Sequence, residues 1–173
     1  MPSPRFSWAS IMTFTDKDSI ISILELKRHP EGGYYRQTYA SERMMHDTPR
    51  MRSLASAILY VLVEGEVSRL HRIDADEMWH HYDGDELVIV EVGDNGKVTS
   101  TFLGKDIRRG EQVQHVVKAG VWFGAYVPDG SRGALVGCTV HPAFLTESFE
   151  IADREHILSL IDPLYVPIVN KLL

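Results

Sequence analysis

The stretch GEVSRLHRIDADEMWHHYDG, residues 65–84, is the part of the chain that decides its fold. Five residues separate the first glycine from His71, Glu77 follows six positions later, and the stretch ends at a second glycine. The alternation of apolar and polar residues predicts two short neighbouring strands, one with the imidazole and one with the carboxylate. Strand side chains alternate between faces, so both groups can point into one cavity.

The same alternation assigns the neighbouring side chains to faces. On the first strand, Arg69 shares the face of the histidine; on the second, Trp79 and His81 share the face of the carboxylate. A local bulge would exchange His80 for His81, so either of these two can face the cavity. A histidine and a carboxylate in one cavity suit acid–base chemistry, and a third ligand would suit a metal.

The composition is that of an ordinary globular protein with an acidic balance. The chain has 173 residues and a net charge of −6, which disfavours nucleic acid and anionic membranes as partners. No apolar run approaches the roughly 18 residues of a membrane helix. Cys138 is the single cysteine, so no internal disulfide is expected and the chain fits a reducing compartment. We therefore expect a cytoplasmic protein.

The predicted elements describe an all-β domain over residues 13–173, preceded by a disordered or draped leader at residues 1–12. A helix is predicted over 13–28, ended by Pro30 and the glycine pair that follows. Turn signals then separate nine predicted strands, which is typical of a sandwich or barrel. These strands lie near 34–40, 56–63, 68–73, 77–82, 86–92, 98–103, 112–118, 121–127 and 134–141. Two short helices, over 153–161 and 163–172, are predicted to close the chain.

The spacing of the opening stretch resembles the first motif of the cupin superfamily, G-x5-H-x-H-x3-E-x6-G. Ile73 stands at the position of the second histidine of that motif. In the run that corresponds to the second motif, Lys118 replaces a proline and Phe123 stands where a histidine would be. Of the four metal-ligand positions typical of the superfamily, the chain keeps two, His71 and Glu77.

Other runs extend the resemblance to the subfamily called cupin-5 or RmlC-like, over about residues 15–162. They are HPEGGYY (29–35), SAILY (56–60), DEMWH (76–80), AGVW (119–122) and GCTV (137–140). The resemblance implies a cupin jelly-roll β-barrel, often paired as a homodimer, with an open pocket at one end. Structural relatives include dTDP-sugar 3,5-epimerases, in which a barrel histidine acts as a base without a metal. The N-terminal segment is a natural arm for exchange between subunits.

The expected function is the binding of a small polar molecule, carbohydrate-like or a small acid, by an isomerase or epimerase that needs no cofactor. His71 is the predicted acid–base residue, Glu77 the residue that orients it, and His81 a second proton carrier. The residues predicted to contact the ligand are Trp79, Phe123, Tyr60, Arg36 and Arg69. The turn residue Glu31 is a further candidate.

Two alternatives stay open at this point. The first is a cupin that binds a ligand without catalysis, as a sensor or carrier. The second is a degenerate metal-dependent cupin of the dioxygenase or decarboxylase type, in which a divalent metal would be held by His71, Glu77 and His81.

Overall fold

Two antiparallel sheets pack face to face in the computed structural model, which describes residues 17–47 and 50–173. Its strands are β1 (Lys27–Arg28), β2 (Tyr34–Ala40), β3 (Met44–Asp47), β4 (Arg50–Ser53), β5 (Ser56–Val63), β6 (Val67–Arg72), β7 (Asp76–Gly84), β8 (Leu87–Val92), β9 (Val98–Leu103), β10 (Gln114–Val117), β11 (Trp122–Tyr126), β12 (Gly133–His141) and β13 (Glu150–Ile151). Its α-helices are α1 (Lys17–Ile23), α2 (Arg154–Leu160) and α3 (Val166–Val169), and its 3₁₀ helices span Ile107–Arg109, Thr146–Ser148 and Pro163–Tyr165.

Successive strands cross between the sheets in a jelly-roll arrangement. The six-stranded sheet has the order β1-β2-β5-β12-β7-β10, and the five-stranded sheet has the order β13-β6-β11-β8-β9. Strands β3 and β4 form a separate hairpin. The all-β prediction is confirmed, and the strand that carries His71 lies in the sheet opposite the one that carries Glu77.

Apolar side chains fill much of the space between the sheets. The ring of Trp79 meets those of Tyr60 and Phe123 nearly edge-on, with centroids 5.9 and 6.3 Å apart. Helices cover the outer faces: Ile20 of α1 packs on the six-stranded sheet, and Ile157 of α2 packs on the five-stranded sheet. Burial of these faces drives the closure of the sandwich.

The first helix ends earlier than the sequence predicts, and residues 13–16 of the predicted helix lie outside the described residues. The observed helix ends at Ile23, Glu25 takes a positive φ of 53°, and Lys27–Arg28 pairs with β2 instead of continuing the helix. The helical spacing of apolar residues does not predict this change, because the conformation of residues 27–28 depends on their pairing with β2. The proposed leader, residues 1–12, lies outside the described residues.

The nine predicted strands are all present, with bounds that are either unchanged or shifted by one or two residues, and β1, β3, β4 and β13 are additional. The last predicted helix divides into a 3₁₀ turn, which begins at Pro163, and α3, whose first turn contains Pro167. Within the described ranges, no helix has both the length and the apolar character needed to span a bilayer.

Candidate functional site

A cavity of about 440 Å³ lies between strands of both sheets and two connecting segments. His71 enters its wall from β6 and Glu77 enters from β7, so the structure brings together the two residues that the motif spacing selects. The other lining residues are His29, Pro30, Glu31, Tyr35, Gln37, Ser56, Ala57, Ile58, Ile73, Cys138, Val140, Phe144, Thr146 and Phe149.

A β-bulge in β6 determines which of its side chains face inward. The register against β11 pairs His71 with Phe123 but Ser68 with Ala125, so β6 contains one extra residue. Ser68 and His71 are consequently both buried, whereas Arg69 is exposed. Strict alternation from the sequence placed Arg69 inward with the histidine, and the bulge corrects that assignment.

The backbone of Arg69 holds two parts of the site in place. Its N–H donates to the carbonyl of Glu31 at 2.9 Å, which docks the turn between β1 and β2 onto β6. Its carbonyl accepts a hydrogen bond from His71 Nδ1 at 2.6 Å. Because a carbonyl can only accept, this partner assigns a proton to Nδ1. The other ring nitrogen, Nε2, is left for proton exchange.

Glu31 supplies the carboxylate that contacts His71. Its Oε2 lies 3.3 Å from His71 Nε2, and its Oε1 accepts the Ser68 hydroxyl at 2.7 Å. When no proton lies between Nε2 and Oε2, two lone pairs face each other. A proton there replaces this repulsion with a charge-assisted hydrogen bond. The geometry therefore allows the pair of Glu31 and His71 to take up one proton at the cavity wall.

The turn that carries Glu31 depends on glycine. Gly32 has a φ of 116°, and a Cβ at this position would collide with the backbone oxygen of Val67. The Gly32 carbonyl accepts a hydrogen bond from the Tyr60 hydroxyl at 2.7 Å. Burial raises the pKa of Tyr60 well above its ordinary value, so this hydroxyl stays a neutral donor.

Glu77 is the second buried carboxyl of the cavity and is 8% exposed. Burial raises its pKa from 4.5 to about 7; His71 opposes this rise and Glu31 adds to it. A hydrogen bond from the thiol of Cys138 also opposes it, and burial raises the pKa of that thiol well above its ordinary value. Near neutral pH, Glu77 therefore exists in both protonation states.

His29 also lines the cavity, although the sequence reasoning did not select it. Its Nδ1 lies 3.6 Å from Glu31 Oε2, and its ring meets that of Tyr35 edge-on at 4.5 Å. Burial lowers the pKa of His29, while Glu31 opposes this effect and His71 adds to it. The available signal was the HPEGG run at 29–33, which predicts a tight turn but not its docking on β6.

The aromatic residues predicted as cavity walls lie in the packed part of the interior. Trp79, Tyr60 and Phe123 are each about 1% exposed and belong to one apolar cluster. Phe123 nevertheless touches the site, because its ring centroid lies 4.2 Å from that of His71. Direct contact of these three side chains with a ligand stays a prediction.

His81 faces the interior and His80 lies on the outer face of the sheet, where it is partly exposed. His81 Nε2 lies 2.9 Å from the carbonyl oxygen of Asp85. His71 and Glu77 line the cavity without His81, so the structure does not gather the three residues at one point. A role for His81 in proton transfer stays a prediction.

Neither predicted ligand-binding arginine places its guanidinium on the cavity wall. Arg36 Nη1 lies 3.4 Å from Glu25 Oε2 on the surface, and the Arg69 side chain is exposed. Their predicted contacts with a ligand therefore have no support from the geometry of this cavity, and they stay predictions.

The donor set of the cavity does not fit a metal ion. Ile73 and Phe123 occupy two of the ligand positions of the motif, and neither can coordinate. Across residues 17–47 and 50–173, no group of three or more His, Cys, Asp or Glu side chains is placed to hold a metal. Protein sites for zinc or iron use three or four such donors.

Comparison with known proteins agrees with this architecture. A family model described as Cupin_5, Cupin superfamily (DUF985), matches residues 18–152. A solved structure from Shewanella oneidensis is 39% identical, covers 91% of this chain and 97% of its own, and has a TM-score of 0.82. A hypothetical protein from Leishmania major is 26% identical at the same coverages, with a TM-score of 0.81.

More distant similarity extends to an enzyme. The structure of an oxalate decarboxylase mutant from Bacillus subtilis is 14% identical, covers 76% of this chain and 33% of its own, and has a TM-score of 0.52. At that identity the two proteins share a fold alone. A search of curated proteins finds no match.

Proposed function

Given that this chain belongs to the Cupin_5 (DUF985) family of the cupin superfamily, we propose that its cavity binds a small polar molecule and moves a proton on a carbon atom of that molecule. The proposed reaction class is that of a cofactor-independent isomerase or epimerase. The observation that carries the proposal is the placement of two separate proton-holding groups, Glu31 with His71 and Glu77, on the wall of one cavity.

Epimerisation and isomerisation need a base and an acid at the same carbon centre. A base removes a proton from the carbon next to a carbonyl, and the bonding electrons move onto the carbonyl oxygen as an acid protonates it. Return of a proton to carbon, on the other face or at the neighbouring atom, completes the reaction when an enol hydroxyl gives up its proton and the C=O bond re-forms. Two groups that each exchange one proton are sufficient for this sequence.

The two groups differ in a way that suits the two roles. The pair of Glu31 and His71 gains a hydrogen bond on taking up a proton, so it is the proposed base. Glu77, whose pKa is raised to about 7 by burial, keeps a protonated population at neutral pH, so it is the proposed acid. Ser68 and the Arg69 carbonyl position the pair.

Proton exchange in heavy water tests this proposal. The protein is incubated in D₂O with aldoses and ketoses of three to six carbons, and loss of the C–H signal next to the carbonyl is followed by NMR. We expect exchange with the wild-type protein and a fall of at least about 100-fold in His71→Gln, with binding retained.

His115→Gln is the matched control, because His115 is also partly buried and contacts the Glu91 carboxylate at 2.7 Å, on strands that do not line the cavity. It should leave exchange unchanged. Binding without exchange by the wild type, or undiminished exchange in His71→Gln, would contradict the proposal, and the first result would favour a non-catalytic carrier.

A further inference from the structure

The ionisable side chains that line the cavity are acidic, neutral or already paired. Within the part of the chain that the structure describes, none of the lining residues is Lys or Arg. His29 has its pKa lowered by burial, and His71 Nε2 faces Glu31. A negatively charged ligand would therefore find no uncommitted positive charge on the wall, and it would lie near two carboxyl groups.

Two guanidinium groups, those of Arg50 and Arg72, belong to a neighbouring groove of about 500 Å³, which shares Ile73 and Phe149 with the cavity. Arg72 Nε donates to Glu150 Oε2 at 2.7 Å, and its guanidinium lies over the ring of Trp122. Arg50 in the same groove is 3.5 Å from the Asp74 carboxylate. These charges are engaged in ion pairs outside the cavity.

Glu77 is also incompatible with an added negative charge. Its carboxyl is already resistant to ionisation because it is buried. A second anion beside it would favour the protonated form still more, and an anion would gain nothing from Glu31, which accepts from Ser68 and contacts His71. A ligand hydroxyl, in contrast, can accept from protonated Glu77 or donate to its ionised form.

The remaining wall contains both polar and apolar side chains. Gln37, Ser56 and Thr146 offer an amide and two hydroxyls, and the apolar side chains are those of Ile58, Val140, Phe144 and Phe149. Such a combination suits a ring with hydroxyls on its edge and C–H groups on its face. A volume of about 440 Å³ lies within the range of small-molecule sites.

We infer that the cavity selects an uncharged, polyhydroxylated molecule of about the size of a monosaccharide and rejects its anionic analogues. This inference rests on the proposed function only in sharing its cavity, because it concerns which ligand binds and not what happens to it. It replaces the broader expectation of a carbohydrate-like molecule or a small acid with the first of these.

Matched sugars that differ in charge test the inference. Neutral aldohexoses, the corresponding uronic acids and the corresponding 2-amino sugars are compared for binding by saturation-transfer NMR at pH 7.5. We expect binding within the neutral set and at least about tenfold weaker binding of each uronate. Gln37→Arg, which adds a cation at the partly open edge of the wall, should shift the preference toward uronates, and Gln112→Arg at an exposed position should not.

Three results would overturn the inference: uronates that bind as tightly as neutral sugars, amino sugars that bind as weakly as uronates, or no binding by any neutral sugar. These outcomes are separable from failure of the proposed function. Neutral sugars that bind without deuterium exchange would refute the catalytic proposal alone. Uronates that bind and exchange deuterium would refute the charge selectivity alone.

Discussion

Glu77 is the buried carboxyl of the cavity whose pKa is raised to about 7. Its carboxyl is withdrawn from water on β7, and the nearby His71 offsets only part of the effect of burial on its pKa. Such a group is a poor contributor to stability when ionised but a useful proton donor and acceptor. The free energy of unfolding should therefore depend on pH in the range where Glu77 ionises.

Glu77→Gln should therefore stabilise the protein at high pH. The folded-state pKa is raised from 4.5 to about 7, so the stability contribution of Glu77 is present below pH 4.5 and lost as the pH rises to about 7. The loss amounts to at most about 3 kcal/mol. Urea unfolding at pH 5 and pH 8 should show that the variant gains stability relative to wild type between these two values.

Asp76→Asn is the control for this prediction. The pKa of Asp76 is lowered, first by Lys118 and then by the backbone N–H of Ala119, so its titration is complete below pH 5. Its difference from wild type should not change between pH 5 and pH 8. A Glu77→Gln variant with an equally constant difference would show that Glu77 is ionised throughout this range.

Sequence spacing was sufficient to select His71 and Glu77, because the motif fixes both the residue types and their strands. It was insufficient for Glu31, whose contact with His71 depends on where a turn docks on a strand about forty residues later. Alternation placed Trp79 on the correct face, but it cannot distinguish the packed part of an interior from the part that opens into a cavity.

At the scale of elements, the site depends on one bulge and one turn that fit together. The bulge in β6 turns Ser68 and His71 to the same face, and it leaves the Arg69 N–H to hold the Glu31 carbonyl. The turn can approach this closely because Gly32 has no side chain. The position of the Glu31 carboxylate is therefore set by backbone contacts.

Gly32→Ala should consequently disrupt both the fold and the site. A methyl group would meet the backbone oxygen of Val67, which cannot move aside as a flexible side chain would. We expect a loss of about 3–4 kcal/mol in the free energy of unfolding, measured by denaturant titration. The ligand affinity of the remaining folded protein should fall as well.

The variant Gly65→Ala separates the energetic cost of backbone strain from the cost of a steric collision. Gly65 also has a positive φ, of 78°, but no atom of residues 17–47 and 50–173 outside its chain neighbours lies within 4 Å of the added methyl group. It should cost only about 1–2 kcal/mol, from backbone strain alone. Equal losses in the two variants would show that the turn does not pack closely on β6.

Pattern reading recovered the strands better than the connections between them. The strands at 34–40 and 56–63 were predicted with their observed bounds, because alternation and turn residues mark them clearly. The hairpin of β3 and β4 was missed, since Met44–Asp47 and Arg50–Ser53 are too polar and too short to suggest strands. Their stability comes from Arg52, which reaches across the fold.

At the scale of the whole molecule, Arg52 joins segments that are distant in sequence. Its guanidinium pairs with Asp47 at 2.8 Å and with Asp74 at 2.9 Å, and its Nε donates to the carbonyl of Ala143. The segment after Ala143 continues over the cavity to Phe149. The jelly-roll strands, which the motif predicts, therefore form only part of the cavity wall. The segment after Ala143, held in place by Arg52, forms another part.

The expected homodimer and the cytoplasmic location stay predictions. The first can be tested by measuring the mass of the protein in solution.

Glu31 and Phe149 come from opposite ends of the chain, and each is flanked by a two-residue strand, β1 or β13. A ligand bound between them would contact both segments and stabilise both against local unfolding. At a concentration about 100 times its Kd, it would add about 2.7 kcal/mol of protection. Amide hydrogen exchange should then slow at 29–33 and 144–151 together, while the central strands, already protected, change little. Slowing at only one of the two segments would show that the ligand touches one end of the chain and leaves the other free.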